Sequence, residues 1–247
     1  LSDLSIPRRS PAGRDLIGPY CDALREQGLK VGLYYSHLDW SHPDYASILG
    51  PHRGPRQGLP GEKYNRPPED REDPQRWERF LEFHRGQLKE LCTGYRPDLL
   101  WFDGDWERSP EQWRMAELRQ QLHAWCDGVI LNSRMGGHGD YATPEQGIPV
   151  QPPPGPWEFC VTMNNSWGYR HTDTNYKSVR QIVRMLAECV GMGGNLLLDV
   201  GPKADGTIPP EAVERLEALG AWCAKHAKAV YPTAAGLPHG HFYGASA

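Results

Sequence analysis

Hydrophobic positions along the chain fall into two alternating patterns. Over residues 14–27, Leu16, Ile17, Tyr20, Cys21 and Leu24 recur at helical spacing and stop before Gly28, a residue suited to a left-handed helix end. Residues 29–35 follow as a short apolar run, the pattern of a buried strand. The alternation then repeats. Trp77, Phe80, Leu81, Phe83, Leu88 and Leu91 give residues 75–91 a helical face opened by Pro74, and residues 98–103 form the next strand. Ser109, Pro110 and Glu111 carry the cap, first-position and acidic chemistry of a helix start, which predicts a helix to Trp125 and a strand over 128–132. Residues 157–163 predict a short strand, 176–190 an amphipathic helix and 195–200 a continuously apolar strand. Pro209, Pro210 and Glu211 open a last helix, which runs to Lys228.

Strands that alternate with helices imply an α/β fold with a parallel sheet, either doubly wound or closed as a barrel. The five strands lie at 29–35, 98–103, 128–132, 157–163 and 195–200. Residues 37–73 and 133–156 are rich in Gly, Pro and charge and exceed ordinary connections, so they are candidate functional loops. A chain of 247 residues suits one α/β barrel domain over 1–247 better than two large domains.

Composition narrows the function classes. The net charge is −4 and neither sign forms a long block, which argues against nucleic acid and anionic lipid as partners. No apolar run approaches the ~20 residues a bilayer needs, so a membrane partner is not expected. The sequence begins at Leu1 with no signal-peptide pattern, which reads as a soluble chain, compatible with the cytoplasm but not assigned to it. Cys21, Cys92, Cys126, Cys160, Cys189 and Cys223 are scattered without a C-x-x-C pair and read as buried thiols.

In parallel α/β folds, reactive groups gather at the carboxyl ends of strands and on the loops that follow. The first strand ends at Tyr34, Tyr35, Ser36 and His37, with Asp39 and Trp40 beyond; the second ends at Trp101 and Asp103, with Asp105, Trp106 and Glu107 beyond. The third leads to Arg134 and a loop with His138, Asp140, Tyr141 and Glu145, before Trp157 and Glu158. Carboxylates beside tryptophans suit carbohydrate chemistry, because two carboxyl groups can serve a glycosidic bond while indole faces pack on sugar C–H surfaces. Asp103 alone could be a turn cap; between Trp101 and Asp105 at a strand end it reads as a site residue. Gly191, Gly193 and Gly194 precede their strand, where a dinucleotide loop would follow one. His138 with Asp140, and His239 with His241, lack a third ligand at motif spacing and read as solvated loop residues, so no metal is expected. Cys160 reads as core.

Several blocks, in order, resemble the retaining α-L-fucosidases of glycoside hydrolase family 29. They are Gly32-Leu-Tyr34-Tyr35-Ser36 with Asp39-Trp40, the run from Pro97 through Trp101-Phe-Asp103 to Trp106-Glu107, and Leu131-Asn-Ser-Arg134. Trp157-Glu158, Ser166-Trp167-Gly168-Tyr169 and the run from Gly193-Gly194 to Gly201-Pro, continuing to Pro210, complete the set. The resemblance implies an incomplete (β/α)₈ TIM-like barrel with about five βα units, three strands short of closure and without the family's frequent C-terminal β-sandwich. It implies Asp103 as nucleophile and Glu145, in Thr143-Pro144-Glu145, as acid/base, with Glu158 as the rival for that role. Tyr34, Trp101, Arg134, Glu158 and Trp167 fall among substrate contacts.

The resulting expectation is release of α-L-fucose from a fucosylated glycan or oligosaccharide, with no cofactor. Alternatives are transfer of the fucosyl group to an acceptor held by Trp40, Trp106 and the 37–73 loop, or a weakly sugar-binding or inactive fragment. An open parallel sheet exposes unpaired edges, so a homo-oligomer is expected, a dimer first, covering residues 29–35 and 195–200.

Overall fold

A computed structural model describes residues 5–9, 11, 13–40, 42–45, 73–231 and 233–236. The chain divides into two compact units, Leu1–Asp140 and Tyr141–Ala247.

The first unit runs α1 (Ile6–Arg9), α2 (Ile17–Glu26), β1 (Gly32–Ser36), α3 (Pro74–Tyr95), β2 (Leu99–Asp103), a 3₁₀ turn (Asp105–Glu107), α4 (Pro110–Trp113), α5 (Met115–Trp125) and β3 (Ile130–Leu131). Its strands form one parallel sheet in the order β1-β2-β3, with Tyr34 opposite Trp101 and Ser36 opposite Asp103. Side chains alternate across a strand. Leu33, Leu100, Phe102 and Leu131 therefore join the core with Phe80, Leu81 and Leu88 of α3 and Met115, Leu118 and Leu122 of α5. Tyr34, Trp101 and Asp103 stand on the opposite face. Each fully buried Leu or Phe contributes about 1.5–3 kcal/mol by leaving water.

Local chemistry sets the helix limits. Asp73 caps α3 by accepting from the Gln75 and Arg76 amides, Pro74 takes the first turn, and Arg96 in a left-handed conformation (φ 49°) closes the helix. Ser109 and Gln112 form a reciprocal capping box at the start of α4. The helix predicted to run on to Trp125 is broken at Arg114, which has φ 52°. The cause is tertiary: Trp113 is fully buried, with its indole N–H donating to the Asp105 carbonyl at 3.0 Å.

Asn132 is also fully buried and extends the short β3 with its side chain. Its amide Oδ1 accepts from Phe102 N and its Nδ2 donates to Phe102 O, both at 2.9 Å.

The second unit contains β4 (Glu158–Thr162), α6 (Val179–Gly191), β5 (Asn195–Asp199), α7 (Pro210–Lys225) and α8 (Ala227–Val230). β4 and β5 are parallel, with Glu158 opposite Asn195 and Thr162 opposite Asp199. Ser178 and Gln181 make a second capping box at α6. Phe159 and Val161 pack with Cys189, Met185, Leu196 and Leu198, so α6 covers one face of the pair. Residues 142–146 run parallel beside β4, through bridges from Ala142 to Trp157 and from Glu145 to Cys160. All six cysteines are free thiols and five are buried. Among the described residues no helix is long and apolar enough to cross a membrane.

Candidate active site

In the first unit the sequence-derived candidates converge on Asp103. The carboxylate sits at the C-terminal end of β2, where Gly104 turns the chain with φ 83°. An L side chain at Gly104 would be strained and would overlap Leu38. Asp103 Oδ1 accepts from Arg134 at 2.5 Å and from the Gly104 amide at 3.0 Å; Oδ2 accepts from the Tyr34 hydroxyl at 2.8 Å. Two charge-assisted donors and one amide thus fix the rotation of the carboxylate.

An aromatic platform adjoins it. Tyr34 stacks on Trp101 with centroids 5.9 Å apart, and the Arg134 guanidinium lies 4.7 Å from the Trp101 ring centre. Tyr34 is 61% exposed, so the platform faces open space. An exposed aromatic face beside a fixed carboxylate can hold the apolar side of a sugar and present an oxygen nucleophile to it.

Other strand-end residues have structural work. Glu107 is buried and accepts from Trp40 Nε1 at 3.1 Å and from the Tyr45 hydroxyl at 2.5 Å. Burial and the Glu107 charge push the Tyr45 hydroxyl pKa far up. Trp40 is thus committed to Glu107, whereas Trp106 is exposed. Asp105 accepts from the Gly136 amide at 2.9 Å. Asp140 binds Arg119 at 2.5 Å and the Leu131 amide at 2.8 Å, which explains its place in the sequence without a metal. His239, His241 and most of the 37–73 loop lie outside the described residues. Among the described residues, no group of three or more His, Cys, Asp or Glu could hold a metal ion.

In the second unit, Glu145 is exposed and its main chain is held beside β4: Cys160 N donates to Pro144 O, and Gln146 N to Cys160 O, both at 2.9 Å. Glu158 opens β4 and is half-buried. Trp167 is 43% exposed. Asp199, at the end of β5, has one carboxyl oxygen buried with no hydrogen-bond partner, and burial pushes its pKa up to about 6. Sequence reasoning passed over Asp199, and also His84 and Arg85 of α3, which connect through His37 to the Arg134 carbonyl. No local pattern marks these residues; only the tertiary packing does.

A parallel α/β protein with a strand-end carboxylate clamped by a guanidinium and a phenol, beside a stacked indole, has the layout of a glycoside hydrolase. Comparison with known families is specific: a family model described as alpha-L-fucosidase matches residues 2–228. The chain belongs to the alpha-L-fucosidase family.

Similar proteins include an alpha-L-fucosidase of Dictyostelium discoideum, 30% identical over 230 residues that cover 89% of this chain and 46% of that protein. Human tissue alpha-L-fucosidase is 32% identical over 233 residues, 88% of this chain and 45% of that protein. The chain therefore spans about half the length of the curated relatives it matches. Among solved structures, alpha-L-fucosidase isoenzyme 1 from Paenibacillus thiaminolyticus superposes with a TM-score of 0.83 at 39% identity, covering 95% of this chain and 58% of that one. A Bacteroides thetaiotaomicron alpha-L-fucosidase, trapped as a covalent intermediate using 2-fluoro-fucosyl fluoride, gives 0.75 at 32% identity, covering 90% of this chain and 53% of that one.

Proposed function

We propose that the protein is a retaining α-L-fucosidase in which Asp103 is the nucleophile and Glu145 the acid/base. The observation that carries this reading is the fixed Asp103 carboxylate beside the open Tyr34–Trp101 platform. An Asp103 oxygen attacks the anomeric carbon as the bond to the leaving oxygen breaks, and the Glu145 carboxyl proton passes to that oxygen. Glu145, now a carboxylate, takes a proton from water, whose oxygen displaces Asp103 and releases fucose with net retention. The trapped covalent intermediate of the Bacteroides relative supports a two-step route. Arg134, Trp101, Tyr34, Glu158 and Trp167 are the proposed sugar contacts, and the substrate is a fucosylated glycan or oligosaccharide.

The fold reading that accompanies this function is an incomplete (β/α)₈ barrel domain over residues 1–247. β1 and β5 are edge strands of their sheets, which favours a homo-oligomer, a dimer first, checked by light scattering across a dilution series.

Hydrolysis of an aryl α-L-fucoside tests the reading. Asp103→Gly should abolish turnover while leaving the thermal transition near wild type, and azide should restore product formation as the inverted fucosyl azide. Wild-type turnover in Asp103→Gly would falsify the assignment.

A further inference from the structure

Behind the Asp103 site lies a buried chain of polar groups that the mechanism above does not use. Arg85 Nη1 contacts His84 Nδ1 at 3.0 Å, His84 Nε2 contacts His37 Nδ1 at 3.0 Å, and His37 Nε2 contacts the Arg134 carbonyl oxygen at 3.0 Å. Both imidazoles are at most 1% exposed. They stack with centroids 5.3 Å apart, and His37 lies flat on Phe102 at 4.7 Å.

The two ends of this chain fix its direction. A guanidinium has only donors and a carbonyl only lone pairs. Arg85 must donate to His84 Nδ1, so the His84 proton is on Nε2. That proton goes to His37 Nδ1, which leaves the His37 proton on Nε2, aimed at the Arg134 carbonyl. Every ring nitrogen is then satisfied with both histidines neutral. A further proton on either ring would set two donors against each other at one of the 3.0 Å contacts.

Arg134 is where the relay meets the chemistry, since the residue whose carbonyl it holds sends its guanidinium to Asp103 at 2.5 Å. We infer that His84 and His37 are positioning residues: a buried, one-way hydrogen-bond relay from Arg85 that fixes the main chain from which Arg134 reaches Asp103. The charged and titratable groups around it are Arg85, Arg134, Asp103 and the Tyr35 hydroxyl, whose ring meets the His84 edge at 5.2 Å. Burial, the largest influence on both rings, pushes His37 down to about 4 and His84 well below its usual value, in keeping with a relay of two neutral rings with one proton each. Arg85 itself is lowered by burial only to about 10 and stays cationic at neutral pH, so its end of the relay remains a donor.

The catalytic consequence rests on the fucosidase reading; the tautomers do not, and the test separates the two. Histidine ¹⁵N spectra of the whole protein should show His37 and His84 both neutral and both Nε2-protonated at pH 6 to 8. An Nδ1-protonated or charged His37 would overturn the relay whatever the activity. His84→Asn keeps an acceptor for Arg85 but is a methylene too short for His37, whereas His84→Gln reaches both. For His84→Asn, kcat should fall by roughly 10- to 100-fold with KM within about threefold, the scale of a misplaced reacting group. His84→Gln should keep kcat within about threefold of wild type.

Equal activity in folded His84→Asn and wild type, or equal losses in the Asn and Gln variants, would overturn the inference. Should His84→Asn fail to fold, a folded His84→Gln with kcat near wild type supports the relay and one with a loss of about 10-fold or more overturns it. A wild-type protein that releases no fucose from the aryl fucoside sinks the fucosidase reading by itself; the spectra then decide the relay alone.

Discussion

The Tyr34 hydroxyl and the Asp103 carboxylate meet at 2.8 Å, from β1 and β2, although Tyr34 is in register with Trp101. The phenol thus reaches one pleat along the neighbouring strand, over the indole it stacks on, to bind Oδ2. Arg134 holds the other oxygen. The carboxylate is therefore aimed by side chains from two different strand ends.

Tyr34→Phe removes the hydroxyl and keeps the stacking. A hydrogen bond to a charged group is worth about 1.5–3 kcal/mol, so kcat/KM on an aryl fucoside should fall by roughly 10- to 100-fold. The thermal transition should barely move, since the ring is 61% exposed. Full activity in the variant would remove Tyr34 from the site.

Glu145 and Glu158 can be told apart by leaving group. General acid help is worth roughly 10²–10⁴-fold and matters most for poor leaving groups. Glu145→Ala should damage natural fucosides far more than activated aryl fucosides, whereas Glu158→Ala should slow both alike. A selective loss in Glu158→Ala instead would transfer the acid/base role to that residue.

Asp199 makes stability depend on pH. Its folded pKa, about 6, lies above the ordinary 3.8, so the folded state holds the proton more tightly than the unfolded chain. The associated stability is fully present below 3.8 and lost as pH rises through about 6. Asp199→Asn should melt higher than wild type at pH 8, and the gain should shrink as the pH is lowered toward 4. His37 acts in the opposite sense: its folded pKa of about 4 lies below 6.5, so its contribution is lost as pH falls between those values. An Asp199→Asn gain that is the same at both ends of the range would dissociate the effect from this carboxyl.

Gly201 follows β5 at the point where the chain passes the loop that carries Trp167. A Cβ there would overlap the main chain of Gly168 and Tyr169. Gly201→Ala should cost about 1–3 kcal/mol, as overpacking generally does, measured by denaturant unfolding. It should also weaken fucose binding by displacing Trp167, and an unchanged fucose affinity would argue against Trp167 as a sugar contact.

Much of this architecture was legible in the sequence because the five strands are continuous apolar runs between punctuated helices. β2, expected over 98–103, spans Leu99–Asp103, and β5, expected over 195–200, spans Asn195–Asp199. The first strand begins later than its apolar run, at Gly32, because Leu29 and Lys30 lead in on the surface and Asp98 engages Lys30 and the Val31 amide at 2.9 Å. Arg114 was illegible: a left-handed arginine has no sequence signature, and only the burial of Trp113 demands it. Asp103, Tyr34, Trp101 and Arg134 were readable as strand-end residues and do come together. The Arg85–His84–His37 relay was not, because α3 and β1 are joined by a long stretch of chain and helix periodicity treats His84 as one more inward position.

The carboxamide of Asn132 gives the sheet a side-chain terminus. Phe102 receives both of its ladder bonds from that one amide, so β2 stays paired up to the residue before Asp103 while the neighbouring main chain is already free to leave. Departure of the loop is thereby uncoupled from integrity of the strand. Arg134, two residues beyond that amide, can therefore turn away from the sheet and still bring its guanidinium back to the carboxylate of a strand that stays anchored behind it.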